Sequence, residues 1–224
     1  MHTLVLYIAR NKEFLVTSLV VMISLLFLGY FKENSQVSPA LQGLIVGVAV
    51  FLVIPLLYCK IVLERPLSHL GFQRGNPWSG IGGSVLALGL ALGALFVLWN
   101  FTPLLEGYRL PVVVEERFLF FVLYEIFLNG LFLFLFEVFF RGMVLLLWLR
   151  DFGIWGVFFQ ALVFTGILYL SGDMSNGINP QTLPMLLFAP FAGLIAYQSR
   201  SLWYSFGASW FFVLLVDALV LILR

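Results

Sequence analysis

The sequence predicts an all-α polytopic membrane protein, a bundle of about seven transmembrane helices, or eight. Three observations predict it. Apolar residues make up 62% of the 224 positions and charged residues only 10%, well under the ~25% charged share of a water-facing domain. Mean hydropathy is +1.06. The few charges gather in short segments between uncharged stretches, each near the ~20 apolar residues a helix needs to cross a ~30 Å hydrocarbon core. A net charge of +1 and the lack of any basic run argue against a nucleic-acid partner. Cys59 is the single cysteine, so an internal disulfide is excluded.

The first span is 14–31, preceded by Arg10 and Lys12 and ending in Tyr30 and Phe31 before Lys32. A secretory signal has a shorter apolar part and a small-residue cleavage site, so this stretch reads as an uncleaved span. The second span (41–62) and third (79–101) carry glycines four apart, Gly43/Gly47 and Gly89/Gly93. That spacing permits close helix contact, within or between chains, though glycine is common in membrane helices anyway. Segment 102–117, with Pro103, Gly107 and Pro111, is a loop. Segment 117–149 is too long for one upright helix at 1.5 Å per residue. Asn129-Gly130 inside it marks a candidate break. One helix there gives seven spans; two give eight. Spans at 154–170, 183–198 and 202–223 follow, with turn residues throughout 171–181. Placing the N-terminus in the cytoplasm puts Arg10, Lys12, Lys60, Arg65, Arg74, Arg150 and Arg200 inside, against Lys32, Arg109, Arg117 and Arg224 outside. The bias favours that orientation with seven spans.

Four ionisable residues fall within spans: Glu125, Glu137, Arg141 and Asp217. A mid-helix charge costs at least ~2.5 kcal/mol in lipid, so a retained one faces the bundle and has a partner. Glu137 and Arg141 are four apart, glutamate first, the favourable order for an ion pair. A structural pair that pins helices is the leading reading. Asp217 and Glu125, each near a span end, read as snorkelling or capping residues. A carboxylate pair of Glu137 with Asp217 needs both at one depth, which their positions argue against. Ser209 in Gly207-Ala208-Ser209 is a weak nucleophile candidate, since no span holds a histidine or, apart from Lys60 at the cytoplasmic end of the second, a lysine to serve as base. The density of phenylalanine in 118–140 reads as a lipid-facing or bundle-packing surface, and Trp203 and Tyr204 as an interfacial belt.

Phe136-Glu137-Val138-Phe139-Phe140-Arg141-Gly142 resembles the first motif, Glu-Glu-x-x-x-Arg, of the CPBP family of CAAX-prenyl proteases and bacteriocin-processing or immunity (ABI) proteins. Leu70-Gly71-Phe72 with Arg74, and Ser201-Leu202-Trp203, resemble segments flanking the family core. On this resemblance 1–224 is one integral membrane domain, with N-terminal spans in 1–69 and a CPBP-like core in 70–224. The family's metal-dependent chemistry implies two glutamates, two histidines and an asparagine or aspartate. Here Phe136 stands for the first glutamate. Phe164 begins a Phe-x-x-x-His motif in which Leu168 replaces the histidine. Ser209 and Val213 stand for the His-x-x-x-Asn/Asp pair. His2 and His69, the two histidines, lie outside the spans, whereas a catalytic zinc needs about three protein ligands.

The leading expectation is therefore a non-catalytic family member without cofactor or metal, which binds or scaffolds a membrane-protein partner or a lipidated peptide in contact with membrane lipid. The alternative is an active intramembrane endopeptidase using Glu137 as base, with zinc. A small transporter is the second alternative, hinted at by Asn100 and Asn129-Gly130. The expected location is a prokaryotic plasma membrane, N-terminus cytoplasmic.

Overall fold

The computed structural model describes residues 12–31, 38–103, 107–170 and 179–222. These residues form helices and no strand. His2, Arg10, Lys32, Arg224 and most of the 171–181 turn segment lie outside the described residues. Five helices are long and apolar enough to cross a membrane, and two shorter apolar helices accompany them. The chain is an all-α polytopic membrane protein.

Helix α1 (Lys12–Tyr30) buries Thr17, Val21 and Ser24, one stripe at helical spacing. The Thr17 hydroxyl meets the Tyr58 hydroxyl of α2 at 2.7 Å. Helix α2 (Leu41–Val62) contains Pro55, which has no N–H for the helix ladder. On either side it opens into wide π turns, Ala49–Val53 and Tyr58–Val62. Helix α3 (Pro77–Phe101) starts where Asn76 Oδ1 accepts from the Trp78 and Ser79 amides at 3.1 and 3.3 Å, with Pro77 in the first turn. Its buried stripe is Gly80, Ala87, Ala91 and Leu95. The expected glycine seams are not contacts within this chain: Gly43, Gly89 and Gly93 face open space, and only Gly47 has neighbours, Leu135 and Phe51.

After the short α4 (Val112–Glu116), α5 (Phe118–Leu146) runs unbroken. The break expected at Asn129-Gly130 is absent, so the reading with eight spans falls. A helix longer than the hydrocarbon core is accommodated by tilting. The helix absorbs its polar residues in two π segments, Tyr124–Asn129 and Glu137–Leu146. Helix α6 (Leu147–Phe152) continues it, and α7 (Trp155–Leu170), α8 (Leu183–Ser199) and α9 (Leu202–Ile222) complete the bundle.

Helix α8 is the packing centre, in contact with α3, α7, α9 and the second half of α5. Its small buried residues, Ala189, Ala192, Gly193 and Ala196, allow that approach. One apolar core joins α1, α2, α5 and α7 around Phe51, Phe139, Phe140 and Phe164. A second joins α3, α8 and α9 around Ala91, Phe188 and Phe212. The phenylalanines of α5 divide accordingly: Phe118 and Phe127 point outward, while Phe139 and Phe140 are fully buried. Trp203 is half exposed and stacks on Phe134.

Segments 71–76 and 199–202, far apart in sequence, are tied by backbone and side-chain bonds. Leu202 N donates to Gly71 O at 3.0 Å and Asn76 N to Ser199 O at 2.8 Å. Ser201 Oγ donates to Gln73 O at 2.6 Å, and Gln73 Nε2 to Arg200 O at 2.9 Å.

Candidate functional site

Helix α5 buries Glu125, Asn129, Leu133, Glu137 and Arg141, spaced by four. In a regular α-helix at 3.6 residues per turn this row would drift around the axis. The π segments hold more residues per turn, and the row stays on one face. Helix α9 answers with Ser205, Ser209, Val213 and Asp217, also buried and spaced by four. Glu137 meets Ser205 and Ser209, while Asn129 meets Asp217. The two helices therefore run antiparallel.

The first polar group centres on Glu137, 1% exposed. Ser205 Oγ donates to Oε2 at 2.6 Å and Ser209 Oγ to Oε1 at 2.9 Å. Arg141 Nε stands 3.5 Å from Oε1, longer than the ~2.7–2.9 Å of a good charge-assisted bond. Arg141 Nη2 donates to Ala189 O at 3.3 Å, and Gln160 Nε2 to the same oxygen at 2.9 Å. The hydroxyls thus hold Glu137 more closely than the arginine does.

A cavity of about 20 Å³ lies beside this group, lined by Leu133, Phe136, Glu137, Arg141, Phe164, Met185, Phe188, Ser209 and Val213. It is about the size that holds one water. Of the motif positions Phe136, Glu137, Arg141, Phe164, Leu168, Ser209 and Val213, all line it except Leu168, which is buried in the adjoining core with Phe164. The Phe136 ring packs against Phe51, Phe140 and Phe164 at centroid distances of 5.2, 6.0 and 5.8 Å.

These residues do not fit a catalytic zinc. Both Glu137 oxygens are engaged, and Phe136, Leu168 and Val213 offer only hydrocarbon. Among the described residues no three His, Cys, Asp or Glu side chains come together. His69 lies on the surface, beside Gln73 and Arg200 in a shallow pocket of about 380 Å³. The Ser209–Glu137 bond has the reach of a nucleophile–base pair. Glu137 is also anchored by Ser205 and Arg141, and the cavity beside it does not admit a peptide.

The second polar group corrects the sequence reading. Glu125 and Asp217 are neither snorkelling nor capping: each is 1% exposed. Asn129 Nδ2 donates to Glu125 Oε1 at 3.0 Å and to Asp217 Oδ2 at 3.1 Å. The Tyr108 hydroxyl, from the segment between α3 and α4, donates to Asp217 Oδ1. Burial, then the Asp217 charge, hold that phenol protonated, far above its ordinary range. Trp210 Nε1 donates to the Glu125 carbonyl at 2.9 Å. The carboxyl pair in this bundle is therefore Glu125 with Asp217, not Glu137 with Asp217. The signal in the sequence was the spacing by multiples of four through 125, 129, 137 and 141, matched by 205, 209 and 217.

Fold and sites together define a polytopic membrane protein with two buried polar ties between α5 and α9, one charge-compensated and one not. No family model, curated protein or solved structure matches the chain.

Proposed function

We propose that the chain is a non-catalytic membrane protein of the CPBP, CAAX-protease-like type that binds or scaffolds a membrane-protein partner or a lipidated peptide. One observation carries this reading. Glu137, the single acid left at the family's first motif, has both oxygens engaged and adjoins a cavity of about 20 Å³. A base so anchored, beside so small a cavity, has no room for a substrate. The same packing argues against an acyl or prenyl chain lodging beside Phe136, so recognition falls to the lipid-exposed helix faces. An N-terminus on the cytoplasmic side fits the lysine and arginine bias, and a prokaryotic plasma membrane goes with the family resemblance.

The test is elemental mass spectrometry of detergent-purified protein after exposure to zinc, cobalt and manganese. Metal well below one atom per chain, with no cleavage of a prenylated Cys-a-a-X peptide, is expected. Near-stoichiometric metal that is lost in Glu137→Gln overturns the reading and restores the endopeptidase.

A small transporter is the second reading, favoured by the uncompensated Glu125 and Asp217 carboxyls, since intramembrane acids mark ion pathways. Proteoliposome flux that disappears in Asp217→Asn would support it.

A further inference from the structure

Glu125 and Asp217 present four carboxyl oxygens, and three are matched with donors. Asn129 Nδ2 serves Glu125 Oε1 and Asp217 Oδ2, and the Tyr108 hydroxyl serves Asp217 Oδ1. The fourth, Glu125 Oε2, is buried and accepts from nothing described. The Asn129 amide nitrogen bridges the two carboxyls, 3.0 Å from Glu125 Oε1 and 3.1 Å from Asp217 Oδ2. Neither has an ion pair among the described residues. The titratable groups facing them are Tyr108 from the α3–α4 segment and Tyr124 on α5; Asn129 and Trp210 are neutral.

Two adjacent, uncompensated carboxylates in a buried site carry a large desolvation cost, which such a site relieves by binding a positive charge. We propose that Glu125 and Asp217 are a proton-binding site, holding one exchangeable proton on Glu125 Oε2 that is donated to the Asp217 carboxylate. The proton completes the set: four oxygens, three donors from neighbours and one from the pair itself. The charge falls from two to one, and no other bond is made or broken. A metal or alkali cation fits less well. A hard cation needs oxygen ligands turned inward, and here Asn129 presents its NH₂ and Tyr108 its O–H.

The pair also fastens the Tyr108 segment onto α5 and α9. Tyr108 and Leu110 are buried there, although they lie between helices. Removing the proton places two negative charges directly beneath that segment.

Infrared spectroscopy of the full chain in lipid nanodiscs at neutral pH tests the site. The expected result is a carboxylic-acid carbonyl band of about one group per chain. It shifts on exchange into D₂O, moves on ¹³C-carboxyl labelling of glutamate, and is missing in Glu125→Gln. At high pH the wild-type band fades and amide exchange across 107–110 quickens, whereas Glu125→Gln shows no such change. Three results overturn the proposal. One is a wild-type chain without the band. Another is a band that ¹³C-glutamate leaves unmoved or that persists in Glu125→Gln. The third is a band removed by added sodium, potassium or calcium, which would assign the site to a cation. The labelling and cation arms use the wild-type chain, so they decide the matter even if the variant fails to fold.

Discussion

Replacing Glu137 by Leu leaves Arg141, 5% exposed, without its counter-charge inside the bundle. Breaking a buried pair from one side costs ~3–5 kcal/mol, because the remaining charge stays desolvated and unpaired. Two further bonds go with it, from Ser205 at 2.6 Å and Ser209 at 2.9 Å. Hydrogen bonds to charged groups are worth ~1.5–3 kcal/mol each. Ser205 has a local alternative, since its hydroxyl already reaches Leu202 O at 3.0 Å. Glu137→Leu should therefore cost at least ~4 kcal/mol, the upper part of the range for one broken pair. Arg141→Met should cost less, ~3 kcal/mol or below. Its contact to Glu137 is long at 3.5 Å, and the carboxylate keeps both serine donors. The double variant removes both charges and should be less damaging than Glu137→Leu alone. The assay is reversible unfolding in mild detergent, with the four chains compared as a double-mutant cycle. Additive losses, with the double variant as costly as the two singles summed, would refute the argument that the pair and the serines form one unit. So would Arg141→Met costing more than Glu137→Leu.

Four other variants have outcomes set by packing and hydrogen bonding. Phe136→Ala should cost ~3–5 kcal/mol through the cavity it opens among Phe51, Phe140 and Phe164. Phe136→Trp should cost ~1–3 kcal/mol by overpacking, and unfolding midpoints read both; an unchanged midpoint in Phe136→Trp would reveal room that the cavity of about 20 Å³ does not provide. Gly75→Ala drives a Cβ into Ser199 O at φ +58°. It should cost at least ~1–3 kcal/mol in backbone strain and expose the 71–76 turn to protease, read by limited proteolysis. Tyr58→Phe removes the 2.7 Å bond to Thr17 and should cost ~1 kcal/mol in thermal unfolding.

The spans were legible because hydropathy and charge spacing act at the scale of the membrane itself. All seven apolar stretches read from the sequence correspond to helices. The unbroken course of α5 was less legible. Asn129-Gly130 is turn chemistry in water, yet within a bundle Asn129 has two carboxyls to bond and the helix widens instead of ending. Glu137 with Arg141 was legible from helical spacing, but their serine partners were not, since a Ser in an apolar helix does not announce which way it donates. Asp217 was misread because position along a span is a poor guide to depth. The Tyr108 segment folds over the end of α9 and buries the carboxyl, and that contact spans residues 108 and 217, beyond any local pattern.

The two polar ties on α5 and α9 share an architecture and differ in charge balance, and that difference separates their roles. At Glu137 a negative charge, a positive charge and two hydroxyls close upon one another, with a cavity for no more than about one water beside them. Arg141 Nε and Gln160 Oε1 lack partners there, but they are a donor and an acceptor beside space for about one water and call for no added charge, so the group's worth lies in fixing the register of two antiparallel helices. At Glu125 and Asp217 two like charges adjoin, with one buried oxygen lacking a donor. A purely structural tie gains nothing from that arrangement, since a glutamine in place of Glu125 would supply the missing donor at no charge cost. Register alone does not call for two acids at that depth. A group that takes up and releases a positive charge does, because only an ionisable oxygen can be both acceptor and, once protonated, donor.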